Sequence, residues 1–213
     1  MKARYVTLDT ETGGFNEHEH CLLKGCFVIL TKDLEEVARL RFDLERDPML
    51  TCTEEALRIN KIDLVEHDRV ALPKLRITQD LVSFFTGVLG EAPTKEEKLR
   101  PTGQNPWFDL RFLKAQLPQV PWDTFFHYHV LDTASVTEAL VIAGKYPDNA
   151  SGSLAPVAEY FGIDASQAHS EVGDVEMVIK LLHLYKNHLY LLAGIELINT
   201  VGALESLNAD KSR

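Results

Sequence analysis

The sequence RYVTLDTET (residues 4–12) carries the strongest signal for the fold of this 213-residue chain. Its apolar and β-branched residues predict a buried strand over Arg4–Asp9. Residues two apart on a strand face the same way, so Asp9 and Glu11 can present both carboxylates to one cation at the end of that strand. A D-x-E pair by itself is more typical of two solvated acids. The rest of the chain therefore has to decide between these interpretations.

The segments around this strand predict an α/β protein with a mixed central sheet of about five strands flanked by helices. Further strands are predicted over residues 25–31, 37–44 and 125–132, and helices over residues 54–60, 77–88, 106–116, 133–144, 154–161 and from about 173 onward. The residues predicted to cap helices are Thr51 (in a capping box with Glu54), Asn105, Asp132 and Ser153.

The length and composition predict one domain over residues 1–213, ending in a helical extension over about 188–207. The polar stretch over residues 91–101 is expected to be an exposed loop. No apolar run approaches the about 20 residues of a membrane span, and the N-terminus does not resemble a signal peptide, so a cytoplasmic protein without membrane contact is expected.

Charge and cysteine content narrow the function classes further. The net charge of −10 argues against broad binding to duplex DNA, which favours a basic face. It is compatible with an enzyme that holds a short strand through metals, stacking and a few basic residues. The three cysteines, Cys21, Cys26 and Cys52, are odd in number and form no CxxC pair, so free thiols are expected rather than disulfides or a zinc site.

Two further clusters carry acidic residues, GQNPWFDLRFL (residues 103–113) and HSEVGD (residues 169–174). Asp109 falls about one turn into a predicted helix, where an acid is also favourable against the helix dipole. Asp174 falls in the first turn of the last long helix and can reach a metal. His169 lies in the preceding loop and is suited to accept a proton, because its unperturbed pKa is about 6.5. An ordinary surface histidine is the alternative interpretation.

Other polar residues are assigned no chemistry. His18 and His20 are interpreted as part of a solvated loop, and His127 and His129 as structural. The tripeptide Leu-Asp-Thr that ends the 125–132 strand repeats the one around Asp9, but an alanine stands where a second carboxylate would be needed. Its aspartate is therefore predicted to cap a helix and not to bind metal.

Together, LDTETGG (residues 8–14), GQNPWFDLRFL and H-x4-D resemble the three motifs of the DEDDh branch of the DnaQ-like 3′–5′ exonucleases. This group includes the epsilon subunit of DNA polymerase III, RNase T and oligoribonuclease. The resemblance covers roughly residues 4–185, with weaker matches at INKID, HVLDT and SLAPVAEYFGI. The chain departs from the family at LLKGCFVIL, which keeps only the glycine of the usual acidic-Ile-Gly-Ala sequence and places Lys24 before it. The segment before GQN is also more polar than usual.

The resemblance implies a ribonuclease H-like fold, two divalent ions (Mg²⁺ or Mn²⁺) and release of nucleoside 5′-monophosphates from a 3′ end. The implied metal ligands, all counted as catalytic, are Asp9, Glu11, Asp109 and Asp174. His169 is the implied general base. The residues expected to contact substrate are Thr12, Phe15 and Asn105. Phe15 would lie against the terminal base, and anchoring its own loop is the alternative role.

The substrate is left open between two chemistries. Single-stranded DNA is preferred, and a 3′–5′ exoribonuclease acting on RNA ends or short oligoribonucleotides is the alternative, since contacts to the 2′-OH follow from no motif here. A non-catalytic nucleic-acid-binding domain is a third hypothesis, and the presence of all five key residues disfavours it. The expected partners are the 3′ end of a single strand and a polymerase or another replication or repair protein. The sequence predicts no oligomeric state.

Overall fold

The computed structural model of the chain describes residues 2–187, and the helical extension predicted over 188–207 lies outside them. A five-stranded sheet runs through its centre, as predicted. The strands are β1 (Ala3–Thr12), β2 (Leu22–Thr31), β3 (Glu36–Asp43), β4 (Arg100–Gly103) and β5 (Leu131–Asp132). Their spatial order is β3-β2-β1-β4-β5. β2 is antiparallel to both β1 and β3, whereas β4 is parallel to β1 and β5 to β4, so the sheet is mixed.

Helices flank the sheet. They are α1 (Glu54–Asn60), α2 (Leu64–Val70), α3 (Lys74–Leu89), α4 (Pro106–Gln116), α5 (Trp122–Phe125), α6 (Thr133–Ile142), α7 (Leu154–Tyr160) and α8 over residues 171–187. None of the helices described is both long and apolar enough to cross a membrane.

The sheet separates two cores because successive residues of β2 point to opposite faces. On one face, Phe27 packs among aromatic rings, with the Phe85 ring centroid 5.5 Å away and that of Trp122 6.1 Å away. On the other face, Cys26 and Val28 belong to a largely aliphatic core with residues of α7 and α8. Asp9 lies opposite Cys26 in the β1–β2 ladder, so α8 covers the face of the sheet that carries the acids.

One predicted strand is confirmed only in part. Residues 127–130 do not pair as a strand, and β5 holds only the last two residues of the predicted 125–132 segment. The rings of His127 and Tyr128 stack with centroids 4.6 Å apart, and those of Tyr128 and His129 are 4.0 Å apart. The three rings therefore gather on one another instead of alternating across a sheet.

The helix caps agree with the sequence in part. Asp132 caps α6 as predicted, accepting a hydrogen bond from the Ala134 N–H at 3.0 Å. The capping box at Thr51 is wrong: Thr53 caps α1, because the Thr51 N–H is already bonded to the Glu19 carbonyl at 2.8 Å. Asn105 and Ser153 occupy N-cap positions without a side-chain capping bond.

Candidate active site

The first motif places two carboxylates at the carboxyl end of β1. Asp9 lies opposite Cys26, and Glu11 lies opposite Lys24 of β2. The two acids face the same way, as their spacing predicts, and both are half-buried. Within residues 2–187, no N–H or O–H donates a hydrogen bond to either carboxylate. Two acids without donors are therefore free to bind a cation.

Asp109 reaches the same edge from α4. This helix starts just after β4, which is parallel to β1, so its first turn lies beside the carboxyl half of β1. Asp109 is 3% exposed, and its Oδ1 accepts hydrogen bonds from the Thr10 N–H at 2.8 Å and from Thr10 Oγ1 at 2.7 Å. Thr10, between the two acids of the first motif, thus fixes the third acid. Sequence reasoning missed this role, and the only available signal was a threonine between the two acids.

The third motif brings Asp174 and His169 together through the backbone. The Oδ1 of Asp174 accepts the His169 N–H at 3.0 Å. Ser170 caps α8, since its Oγ accepts the Gly173 N–H at 3.1 Å and its carbonyl accepts the Asp174 N–H at 2.9 Å. A side chain at Gly173 has no room, because its Cβ would lie 2.0 Å from the carbonyl oxygen of Gln167. The loop before α8 is thus tightly wound and fixes its backbone relative to Asp174.

The imidazole of His169 is presented differently from the acids. The residue is exposed and adopts a left-handed backbone conformation with φ of 64°. Its side chain accepts or donates no hydrogen bond within the described part of the chain. The loop therefore fixes the backbone of His169 and leaves its ring free to turn.

The pKa values of all four carboxylates are raised. Burial, followed by the charge of Asp109 and then of Asp174, raises the pKa of Asp9 well above its usual value. Burial and then the charge of Asp174 raise the pKa of Glu11 to about 8. Burial raises the pKa of Asp109 to about 7, against the opposing hydrogen bonds from Thr10. Burial also raises the pKa of Asp174 to about 6. Acids from β1, α4 and α8 thus share one electrostatic environment.

A fifth acid was not predicted. Glu171 is 3% exposed and forms an ion pair with Arg41 of β3 at 2.7 Å. Its charge contributes to the raised pKa of Asp9, of Glu11 and of Asp174. Its place in HSEVGD was visible in the sequence, but its burial depends on α8 packing against the sheet.

Lys24, the departure from the family pattern, lies beside this site. It stands opposite Glu11 in the ladder and forms an ion pair with Asp43 at 3.5 Å. Its charge lowers the pKa of Glu11, against the larger effects of burial and of neighbouring acids. A positive charge therefore lies next to the first motif, and it does not offset the excess of acids.

The residues expected to contact substrate have distinct surroundings. Thr12 is buried, and its Oγ1 donates to the Gly14 carbonyl at 2.7 Å, so it holds the turn after the first motif. Phe15 is 77% exposed and meets the ring of Phe108 edge-on at 6.4 Å. Asn105 is exposed and its backbone N–H donates to Asp132 at 2.9 Å. Phe15 thus offers a ring surface near the acids.

The donor set suits a hard divalent cation. The carboxylate oxygens are the ligands that Mg²⁺ prefers, and like-charged acids gain from its binding. In residues 2–187, no three Asp, Glu, His or Cys side chains already stand at ligand spacing around one point.

A mixed five-stranded sheet with acids gathered at the carboxyl end of its central strand defines the ribonuclease H-like class of fold. No family model matches the chain. Ribonuclease T of Wigglesworthia glossinidia brevipalpis is 27% identical over 138 residues, which cover 62% of this chain and 63% of that protein. Ribonuclease T of Haemophilus influenzae (strain PittGG) is 27% identical over 195 residues, covering 89% of this chain and 82% of that protein.

The fold is also similar to a solved nuclease. E. coli exonuclease I in complex with a dT13 oligonucleotide superposes with a TM-score of 0.68 at 17% identity, over 90% of this chain and 42% of that one. The chain therefore spans less than half of exonuclease I and less than two thirds of the first ribonuclease T. These findings confirm the predicted ribonuclease H-like fold and the predicted resemblance to the DnaQ-like 3′–5′ exonucleases.

Proposed function

We propose that this protein is a 3′–5′ exonuclease that releases nucleoside 5′-monophosphates from the 3′ end of single-stranded DNA. The observation that carries the proposal is the cluster of Asp9, Glu11, Asp109 and Asp174, whose pKa values are all raised in one shared environment. A cluster of acids that repel one another destabilises the folded protein unless bound cations neutralise their charges.

The relatives support the reaction and the strand it acts on. Ribonuclease T is matched over most of this chain, and exonuclease I has been solved with a dT13 oligonucleotide and as a complex with SSB-Ct. The bound oligonucleotide and SSB-Ct are observations on exonuclease I itself. They support single-stranded nucleic acid as the substrate here, and a replication or repair protein as a partner.

We propose that two divalent cations, Mg²⁺ or Mn²⁺, bind among the four acids. A zinc-bound form of E. coli exonuclease I with single-stranded DNA supports a divalent ion in this fold. When bound, such ions would polarise the attacking water and stabilise the charge of the leaving oxygen. Asp9, whose charge is coupled to those of the other three acids, would be one of the residues that hold the ions.

The chain's own residues would supply the remaining steps. Asp109 is held by Thr10 through one oxygen, which leaves the other to face an ion. His169 would accept the proton of the attacking water by turning its exposed ring towards the acids. Phe15 would stack on the terminal base, since base–aromatic stacking tolerates any sequence. Asn105 would contact the same nucleotide, and Thr12, whose buried hydroxyl is bonded to Gly14, would do so through its backbone.

A non-catalytic domain is the competing function. It would keep the fold and bind single strands without cleaving them. The free carboxylates of Asp9 and Glu11 argue against it, because a binding surface for phosphates gains nothing from unpaired acids.

Digestion of matched 5′-labelled single-stranded DNA and RNA in Mg²⁺ or Mn²⁺ tests the proposal. We expect stepwise shortening from the 3′ end with mononucleotide release, and faster shortening of DNA. Asp9→Asn should abolish it, whereas Asp148→Asn, in an exposed loop, should not. Faster digestion of RNA would favour the exoribonuclease alternative. Binding without any cleavage in either ion would favour the non-catalytic domain.

A further inference from the structure

Two cysteines far apart in the sequence lie side by side. The Cys21 N–H donates to the carbonyl oxygen of Thr51 at 3.0 Å, and His20 and Thr51 form a parallel bridge. Cys21 and Cys52 each follow a bridged residue on adjacent segments. Neighbouring strands lie about 4.8 Å apart. Disulfides join residues whose Cα atoms are about 4.4–6.8 Å apart, so this backbone arrangement suits a disulfide.

Both cysteines adjoin the turn that follows the first motif. The Gly13 N–H donates to the Cys21 carbonyl at 2.7 Å, and the Gly13 carbonyl accepts the Thr53 N–H at 2.8 Å. A Cβ on Gly13 would lie 2.7 Å from the sulfur of Cys52. Gly13 is thus hydrogen-bonded to both cysteine segments, and it lies two residues after Glu11.

The two thiols have unlike reactivity. A hydrogen bond from Cys21 lowers the pKa of Cys52 to about 7, with a further contribution from the Arg46 guanidinium. The same interaction raises the pKa of Cys21, which is buried, whereas Cys52 is half-buried. A substantial fraction of Cys52, about half at pH 7, is therefore thiolate, and a thiolate is the form that reacts with oxidants. Burial raises the pKa of the third cysteine, Cys26, to about 11, so it stays a thiol.

We propose that Cys21 and Cys52 are a dithiol site that hydroperoxides oxidise to an intramolecular disulfide, which restrains the Gly13 turn. The dithiol itself rests on the backbone pairing and on the contact of Cys52 with the turn. Its consequence for nuclease activity rests also on the proposed function.

Oxidation of the two thiols takes two steps. The Cys52 thiolate attacks one oxygen of the hydroperoxide, forms a sulfenic acid and releases an alkoxide that takes up a proton to give the alcohol. The sulfur of Cys21 then attacks the sulfenic sulfur, the S–O bond breaks, and the hydroxide leaves as water with the Cys21 proton. Two electrons pass from the thiols to the peroxide. An added dithiol reductant reverses the reaction by exchange.

Intact-mass analysis and thiol titration test the dithiol directly. After treatment with hydrogen peroxide, the folded protein should lose the mass of two hydrogens, and its free thiols should fall from three to one. Peptide mapping without reduction should join the peptides of Cys21 and Cys52. Cys26→Ala should still form the bond, and Cys52→Ser should not. Gain of oxygen atoms on Cys52 without a cross-link, or cross-links only between molecules, would overturn the proposal.

Hydrogen exchange and nuclease assays test the consequence for the turn. In the oxidised protein the Gly13 and Gly14 amides should exchange more slowly, and the rate on single-stranded DNA should fall by about tenfold or more, since small displacements near reacting groups are costly. Dithiothreitol should restore both, and Cys52→Ser should keep its rate in peroxide. A disulfide that leaves exchange at the turn unchanged would refute the restraint. If the reduced protein cleaves nothing, the proposed function fails, while mass and exchange still decide the dithiol.

Discussion

The acids of the site and its histidine are held by different kinds of structure. Asp9 and Glu11 lie on a strand that is paired on both sides, and Asp109 is fixed by two hydrogen bonds from Thr10. His169 lies in a loop, exposed, and only its backbone is bonded to the site, through Asp174. Under the proposed function, the backbone that carries the acids is therefore fixed before substrate arrives, whereas the imidazole of His169 is left to be placed by the bound strand.

The largest loss of cleavage should come from substituting the acids that the strand and the helix hold in place. Asp9→Asn and Asp109→Asn should each abolish nearly all cleavage, because each removes a charge from the ion site. Asp9→Asn should also raise the melting temperature of the metal-free protein, since it relieves repulsion from the neighbouring acids. Asp109→Asn should raise it less, because Asp109 accepts stabilising bonds from Thr10. Calorimetry without metal and initial rates in Mg²⁺ measure both. A stable Asp9→Asn protein with normal cleavage would contradict the assignment.

Divalent cations should stabilise the same part. Millimolar Mg²⁺ or Mn²⁺ should raise the melting temperature of the wild type, because the ions bind only the folded arrangement of acids. Chelation should remove activity. Asp9→Asn should lose most of the shift, and Asp148→Asn should keep it. Equal melting with and without metal, together with cleavage that resists chelation, would exclude the two-ion proposal.

His169→Ala should have a smaller effect, confined to turnover. We expect kcat to fall by roughly a hundredfold while KM and metal-induced stabilisation stay near normal, because His169 is not among the proposed cation ligands or base contacts. His18→Ala, another exposed histidine, serves as control. If His169→Ala keeps full turnover at neutral pH, His169 is not the proton acceptor.

The smallest effect concerns pH and stability without metal. The pKa values of Glu11, Asp109 and Asp174 are raised to about 8, 7 and 6. Between the unfolded carboxyl pKa of about 4 and these values the folded protein binds more protons, so the free energy of unfolding should fall as pH rises. Urea midpoints at pH 5 and pH 8 in chelator measure the fall. It should shrink in Asp9→Asn and in saturating Mg²⁺. A midpoint that rises with pH would contradict the raised values.

The sequence predicted the placement of the acids on β1 and α4 better than the conformation of the His169 loop. The positions of Asp9 and Glu11 follow from the period of a strand, and α4 has its predicted bounds. The bonds from Thr10 and the burial of Glu171 were not predictable, because they arise where α4 and α8 pack on the sheet. The left-handed conformation of His169 is set by the wound loop, which no residue pattern specifies.

The interruption of the strand predicted over residues 125–132 has a related cause. Its alternation of apolar and aromatic residues is typical of a strand, yet parallel pairing with β4 begins only at Leu131. Ring stacking among His127, Tyr128 and His129 is a contact between near neighbours that competes with sheet pairing. A single sequence does not rank these two outcomes.

The absence of a side chain at Gly173 lets the loop before α8 pack its Gln167 carbonyl against the helix. A substitution there offers a way to separate binding of a strand from its cleavage. Gly173→Ala would leave all four site acids chemically unchanged, but its methyl group would push the Gln167 segment away and move His169 with it. Under the proposed function, such a protein would keep Asp9, Glu11 and Asp109 in place and bind a 3′ end, yet cleave it slowly. It would serve as a trap that captures the natural strand from a cell extract for sequencing.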